Sequence, residues 1–436
     1  MSIRRALENL SVFVQVACPV AIGILIIRTA VNVPYWDEWE WADLVIKFHQ
    51  GTLAFSDIWT QHNEHRILVP QLILLALDRF GGWSPNREIF VSLFLLVCTQ
   101  IALLLVIQRT IHGTSAVVAA TLTAIQLYGL WQAENLTWGF QMGLFVCNAA
   151  CVTSIASLTR PQRGSFFMLL AIIAAVVASY SSSEGFLIWV AGSVAIVTSW
   201  RHVSSTLVGW LAAATITYLI YIHGLTPSTF GHVDPVQHPL QIVRYALVYL
   251  GSPLAGWGGT TLSLFTGLVA VGVVIGSAAR DTRVQYVSRH CLRRGPWYAL
   301  ATYAMGSAFA TATGRGALGL DQALVSRYTS VSGLLWIAVF CICATWIGDR
   351  RWSLMQSQRL QIVSVVGFAV CALVFVRADM SGWRDWVRIE STWATARLGL
   401  ERDDPAALAI LYPNDIRLLQ LLNGLRRIHD GPFVNK

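Results

Sequence analysis

The densest group of acids and aromatics in the chain is Pro34-Tyr35-Trp36-Asp37-Glu38-Trp39-Glu40-Trp41-Ala42-Asp43. It directly follows a long apolar run. A carboxylate at the edge of an apolar medium, beside another acid, has its proton affinity raised, and that suits a general base acting on a sugar or lipid hydroxyl. Asp37 and Glu38 are therefore the candidate catalytic pair. The competing reading makes Asp37 a helix N-cap and Glu40 the third residue of a capping box. Further on, Gln61-His62-Asn63-Glu64-His65-Arg66 places consecutive polar side chains at the start of an apolar segment. His62, Glu64 and His65 could bind a metal, activate a hydroxyl or grip a phosphate. H-x-E-H is not an established metal spacing, and a solvated loop ending in a helix cap is the alternative.

A third group is Gly314-Arg315-Gly316 followed by Asp321, Ser326, Arg327 and Tyr328. Guanidinium groups pair with phosphate through two parallel hydrogen bonds, and the glycines let a ligand approach the backbone. Arg66 is a lesser candidate for the same role. Glu134 and Glu184 stand at the ends of apolar runs, where an acid is costly unless it has a task. Asn135-Leu136-Thr137 matches a glycosylation sequon formally but lies against the membrane, and His223, His232, Asp234 and His238 are too widely spaced to read as a metal site.

These residues need a scaffold, and composition says what kind. Of 436 residues, 55% are hydrophobic and 12% charged, with mean hydropathy +0.56. Soluble domains carry about 25% charged residues, so a water-soluble fold is excluded. The net charge of +8 is spread over short arginine clusters between apolar runs, which is the pattern of membrane-protein loops and not of a nucleic-acid binder. The cysteines form no C-x-x-C pair, and neither a disulfide framework nor a zinc ribbon follows from them.

The spacing predicts an all-α polytopic membrane protein of about eleven transmembrane helices. The runs are 11–28, 89–108, 115–131, 139–158, 165–180, 186–200, 204–222, 258–279, 297–313, 329–347 and 360–377. The first follows Arg4 and Arg5 and reads as a retained anchor. Stretches 66–80 and 241–256 are short and interrupted by polar residues and proline, which predicts helices at the interface. With a cytoplasmic N-terminus, the inner loops hold 14 arginines and three acids, Glu8, Asp281 and Asp349, as the positive-inside rule requires. The outer side then owns loops 29–88, 223–257 and 314–328 and a periplasmic C-terminus. The division is a membrane module, 1–377, and a small helical tail, 378–436. Within the first outer loop, Trp41, Leu44, Val45 and Phe48 recur at helical spacing opposite Glu40, Asp43, Lys47 and Gln50, predicting an amphipathic surface helix.

A first span, an outer loop opening with adjacent acids (Asp37-Glu38), interfacial helices before span two, the segment His65 to Pro70 and the basic end of span two at Arg109 together resemble the GT-C superfamily of polytopic glycosyltransferases. Those enzymes take sugars from polyprenyl-phosphate carriers. The resemblance implies an inverting hexosyl or pentosyl transfer in which the acid at Asp37 is base or metal ligand and arginines hold the carrier phosphate. His62, Glu64, His65, Arg66, Glu134, Glu184, Arg315, Arg327 and Tyr328 would bind substrate. No cofactor is required by any motif; a divalent cation, Mg or Mn, is the one that the acids would admit. The expected partners are a polyprenyl-phosphate-linked donor, a glycan or lipid acceptor and membrane lipids, with no nucleic acid. The first loop has no D-x-D, no WWDYG-type motif occurs, and the tail is small, which points away from protein glycosylation. A cell-envelope polysaccharide or lipid on the periplasmic face of a bacterial inner membrane is the expected acceptor. An O-antigen-type polymerase or ligase, and a lipid-linked sugar transporter or flippase, are the alternative functions.

Overall fold

A computed structural model describes residues 3–431 apart from 64, 161–163, 200–202, 227–230, 286–292, 350–353 and 403. In chain order the helices are α1 (Ile3–Thr29), α2 (Glu38–His49), α3 (Phe55–Ile58), α4 (Leu68–Gly81), α5 (Pro85–Thr110), α6 (Thr114–Leu127), α7 (Ala133–Thr137), α8 (Met142–Leu158) and α9 (Ser165–Ser179). They continue as α10 (Leu187–Ser199), α11 (Val203–Ile222), α12 (Pro239–Gly251), α13 (Ala255–Gln285), α14 (Gly295–Arg315), α15 (Thr329–Asp349), α16 (Leu354–Glu401), α17 (Pro405–Leu411) and α18 (Asp415–Ile428). The strands among the described residues are β1 (Gln61–His62) and β2 (His65–Arg66), paired antiparallel. Each predicted apolar run overlaps a helix: 11–28, 89–108, 204–222, 258–279, 297–313, 329–347 and 360–377 lie inside one, whereas 115–131, 139–158, 165–180 and 186–200 extend past α6, α8, α9 and α10.

The protein is an all-α membrane protein. Among the described residues seven helical stretches are long and apolar enough to cross a bilayer: Arg5–Thr29, Pro85–Thr110, Thr114–Thr137, Gly139–Leu158, Ser205–Ile222, Gly258–Arg283 and Ser326–Ile347. Ser165–Ser179 and Ser183–Ser199 are shorter and also apolar. The two stretches predicted to lie at the interface form α4, with 14 residues, and α12, with 13. At a 1.5 Å rise each reaches only about 20 Å, well short of a 30 Å hydrocarbon core.

Among the described residues two large apolar cores and a small cluster of Trp131, Leu254, Phe375 and Ala378 hold the molecule together. The larger runs through α5, α6, α8, α9, α10, α14 and α15 and is rich in alanine, which lets helix backbones approach closely where no hydrophobic drive separates helix from lipid. The smaller lies beside it. There the buried face of α2 (Trp39, Trp41, Leu44, Val45) meets Leu74 of α4 and Leu418, Leu421, Leu422 and Leu425 of α18. Both α2 and α18 are amphipathic at helical spacing, and neither could bury its stripe alone. The tail is thus built onto the first loop: α16 runs without interruption past residue 378, α17 packs back on α16, and α18 packs over α2.

Candidate active site

Between α1 and α2 the chain passes through residues 30–35 without regular secondary structure, then turns at Trp36, whose φ of 46° lies in the left-handed region. Such a conformation costs about 1–3 kcal/mol for a bulky residue and persists only where its surroundings impose it. Here they do. The Trp36 N–H donates to the Leu411 carbonyl at 2.7 Å, and Trp138 Nε1 donates to the carbonyl of Tyr35 at 3.0 Å. The Tyr35 ring is wedged between Trp138 and Trp393, with centroids 5.4 and 5.1 Å away. Asp37 and Glu38 leave this turn in different directions, because successive residues at a helix start are rotated by about 100°.

Asp37 faces a cavity of about 660 Å³. It occupies the N-cap position of α2, yet its side chain makes no cap hydrogen bond. The capping-box reading therefore fails: Glu40 accepts from the Tyr412 hydroxyl, and its other oxygen lies 4.0 Å from Arg417. Asp37 Oδ2 lies 3.7 Å from His62 Nε2. Burial pushes the Asp37 carboxyl up, but the bond to and charge of His62, with Arg327 and His65 behind it, outweigh burial and hold it below the usual aspartate range. This corrects the expectation that a neighbouring acid would raise it, since Glu38 points elsewhere.

Glu38 does not line the cavity. It is fully buried, accepts the Tyr35 N–H at 3.1 Å and meets Glu88, which in turn accepts Trp83 Nε1 at 2.8 Å. Burial drives its proton affinity well above that of an ordinary glutamate. A Cβ at Gly139 would fall 2.5 Å from Glu38 Oε1 and 2.7 Å from Glu88 Oε2, so glycine is the residue that fits above this pair. An acid whose folded pKa is raised subtracts stability as pH climbs from its unfolded value through the folded one. Glu38→Gln, which mimics the protonated form, should keep most transfer activity and flatten the fall in melting temperature between pH 6 and 9. Thermal melts across that range check it, and a steeper fall in the variant contradicts the buried neutral carboxyl.

The short hairpin β1–β2 sets the next residues. His62 and His65 are directly opposite each other in the ladder, and paired residues project to the same face. Both line the cavity, with ring centroids 6.0 Å apart and the His62 ring 5.2 Å from Phe140. Glu64 lies outside the described residues. Arg66 is buried and turned away from the cavity: its guanidinium donates to the carbonyls of Tyr221 (3.0 Å), His223 (2.7 Å) and Trp59. It fastens loop backbone and has no free fork for a phosphate.

The opposite wall comes from α7 and the turns after α14. Asn135 Nδ2 donates to the Arg327 carbonyl at 3.1 Å, the Glu134 N–H donates to Ser326 Oγ at 3.3 Å, and Ser326 Oγ donates to the Trp131 carbonyl at 3.0 Å. These bonds join the two segments and set Glu134 against Arg327. They also leave Asn135 1% exposed, which closes the sequon to modification. The Tyr328 ring packs 5.1 Å from Tyr249, and the Arg327 guanidinium carbon lies 5.9 Å from the Tyr328 ring. Arg327 Nε has no hydrogen-bond partner among the described residues. Glu134, Glu184, Arg315, Arg327 and Tyr328 all line the same cavity as Asp37. Glu184 Oε2 is likewise buried without a partner among the described residues.

His232 and Gln322 also line the cavity. Of the histidine-rich loop 223–238, sequence spacing gave no reason to prefer one position. His232 is singled out by the loop's fold, in which the neighbouring Val233 N–H donates to the Thr313 carbonyl of α14 at 2.9 Å. Chemically, the cavity sets one anionic carboxylate across from two guanidinium groups, with imidazoles and further acids between them. A divalent ion here would find its first donors in Asp37 and His62.

No family model matches the chain, and no curated protein does. Among solved structures it is similar to ArnT from Cupriavidus metallidurans in the apo state, with TM-score 0.45 and 12% identity over 96% of this chain and 77% of that one. It is similar also to ArnT from Cupriavidus metallidurans bound to undecaprenyl phosphate, with TM-score 0.43 and 14% identity over 97% of this chain and 78% of that one. A likeness this distant assigns no chemistry.

Proposed function

We propose that this protein is a GT-C-type membrane glycosyltransferase that moves a sugar from a polyprenyl-phosphate carrier to a cell-envelope polysaccharide or lipid acceptor. The observation that carries the reading is the meeting of Asp37 with Arg315 and Arg327 in one cavity at the loop ends of the membrane helices. A lipid-borne phosphate needs cations at that depth, and an acceptor hydroxyl needs a carboxylate across from them.

In the proposed reaction the carrier phosphate lies against Arg315 and Arg327, and the sugar's anomeric carbon faces Asp37. The acceptor hydroxyl, hydrogen-bonded to Asp37, attacks that carbon from the side opposite the phosphate. The new C–O bond forms as the bond to the phosphate oxygen breaks, the phosphate leaves with the electron pair, and the hydroxyl proton passes to Asp37. Because Asp37 is a weak base, its proton transfer comes late, after the acceptor oxygen has acquired positive charge. His62, beside it, is placed to orient the carboxylate. The guanidinium groups act where negative charge grows, which is where fixed cations lower a barrier most. A divalent cation, if the reaction uses one, would add the same kind of charge stabilisation beside Asp37.

The loops that line the cavity all belong to the side assigned as outer by arginine placement, which supports a periplasmic reaction. Mass spectrometry of envelope glycans from cells with and without the protein tests the proposal. The expected result is one sugar missing from one glycan or lipid when the protein is absent, and unchanged glycans on full induction of the gene would overturn it.

A further inference from the structure

Away from the cavity, three side chains from distant parts of the chain meet at one point. His49 is the last residue of α2, Asp78 lies in the final turn of α4, and Asp430 follows α18. His49 Nε2 lies 3.0 Å from Asp78 Oδ2, 3.3 Å from Asp78 Oδ1 and 2.9 Å from Asp430 Oδ2. The Asp78 side chain is 0% exposed and that of Asp430 5%. One ring nitrogen is thus surrounded by three carboxylate oxygens while carrying at most one hydrogen.

We propose that His49, Asp78 and Asp430 bind one divalent transition-metal cation, zinc above others, which fastens the C-terminal segment to the first loop.

Charge is the first argument. Two buried carboxylates this close are costly to keep ionised without positive charge beside them, and neither accepts a hydrogen bond or ion pair from Arg or Lys among the described residues. A neutral imidazole with two carboxylates balances a dication. The donor set is the second. One nitrogen and two oxygens converge within 4.8 Å, and the ligand atoms of a tetrahedral zinc ion stand roughly 3.3 Å apart, so the His49 nitrogen need withdraw from each carboxylate oxygen, now 3.0 and 2.9 Å away, by only a few tenths of an ångström. An imidazole donor disfavours magnesium and calcium, which take oxygen ligands.

Orientation is the third. Asp430 Oδ1 is committed to the N–H groups of Trp83 and Gly431, each at 2.6 Å, which aims Oδ2 at His49. Fixed outer hydrogen bonds of this kind are how protein metal sites hold their ligands. His49 remains 35% exposed, leaving a path for the ion and room for a water as fourth ligand. The cluster is a structural site, because α2 separates it from Asp37 by about 18 Å.

The test uses the full-length protein in detergent, stripped with EDTA and dialysed against zinc, manganese or magnesium chloride. Elemental analysis after desalting should find one zinc per chain, and zinc should raise the melting temperature by roughly 3–6 °C, with magnesium without effect. Asp430→Asn and His49→Ala should each weaken zinc retention by at least about tenfold. Zinc retention unchanged in both variants would mean adventitious binding at other histidines or cysteines and would overturn the site. So would wild-type protein that keeps no metal and shows no shift, whatever the variants do.

Discussion

Asp37→Asn is expected to reduce sugar transfer by about 10²–10⁴-fold, with protein abundance and melting temperature close to wild type. The separation follows from the geometry. The Asp37 side chain caps no helix and lies at the cavity wall, so its amide replacement leaves α2 and the smaller core intact. Asparagine keeps the shape and loses the ability to take the acceptor proton. Because His62 and Arg327 hold the Asp37 carboxyl below the usual aspartate range against the opposing effect of burial, the sign of the pH effect is fixed. The carboxylate form persists from neutral pH down through the ordinary value of about 3.9, so no loss of activity between pH 5 and 7 should come from protonation of this group. Its contribution to stability is present above the unfolded value and disappears as pH falls through the folded one. Transfer rates and melting curves of the same preparations check both statements. A variant as active as wild type removes Asp37 from the mechanism.

Arg327→Ala carries the second large effect. The guanidinium sits over the Tyr328 ring, has Nε without a hydrogen-bond partner among the described residues and is set against Glu134 by α7. A cation so placed, with hydrogen-bonding capacity in reserve, suits the carrier phosphate of the proposed reaction. Its removal should lower kcat by about 10²-fold and raise KM for the lipid-linked donor, while KM for the acceptor changes little. Arg327→Lys should restore part of kcat, since a lysine supplies charge without the planar fork. Steady-state kinetics with donor and acceptor varied separately distinguish these cases. Equal changes for both substrates would make Arg327 a structural residue of the cavity wall.

The residues of the cavity were largely legible in the chain, and the exceptions have physical causes. Apolar run lengths placed the helices, because bilayer thickness sets a length that composition records, and the two interrupted stretches do form the short helices α4 and α12. Acids and arginines at the ends of those runs are conspicuous, and Asp37, Glu134, Glu184, Arg315 and Arg327 do line one wall or another of the same cavity. Glu38 was not distinguishable from Asp37, since adjacency in sequence hides the rotation between neighbours at a helix start. The sense of the Asp37 shift went with it: the second acid meets Glu88, and a histidine faces the first.

Other features lie beyond any periodicity. A ladder of two-residue strands has no repeat to detect, so the hairpin that turns His62 and His65 to one side is invisible before folding. Arg66 shares its polar neighbourhood with them and still points away, held by three backbone carbonyls. The amphipathic stripe of α18 predicts a helix but not its partner, and only the fold shows that it covers α2. The meeting of His49, Asp78 and Asp430 depends entirely on that covering.

The central claim is that the cavity between Asp37 and the two arginines holds a polyprenyl phosphate. Native mass spectrometry of the purified protein titrated with undecaprenyl phosphate tests it most directly. The account predicts one lipid bound per wild-type chain and an affinity reduced by about 10²-fold when Arg315 and Arg327 are both replaced by alanine. Equal binding by the wild-type and doubly substituted proteins, at matched stability, would contradict it.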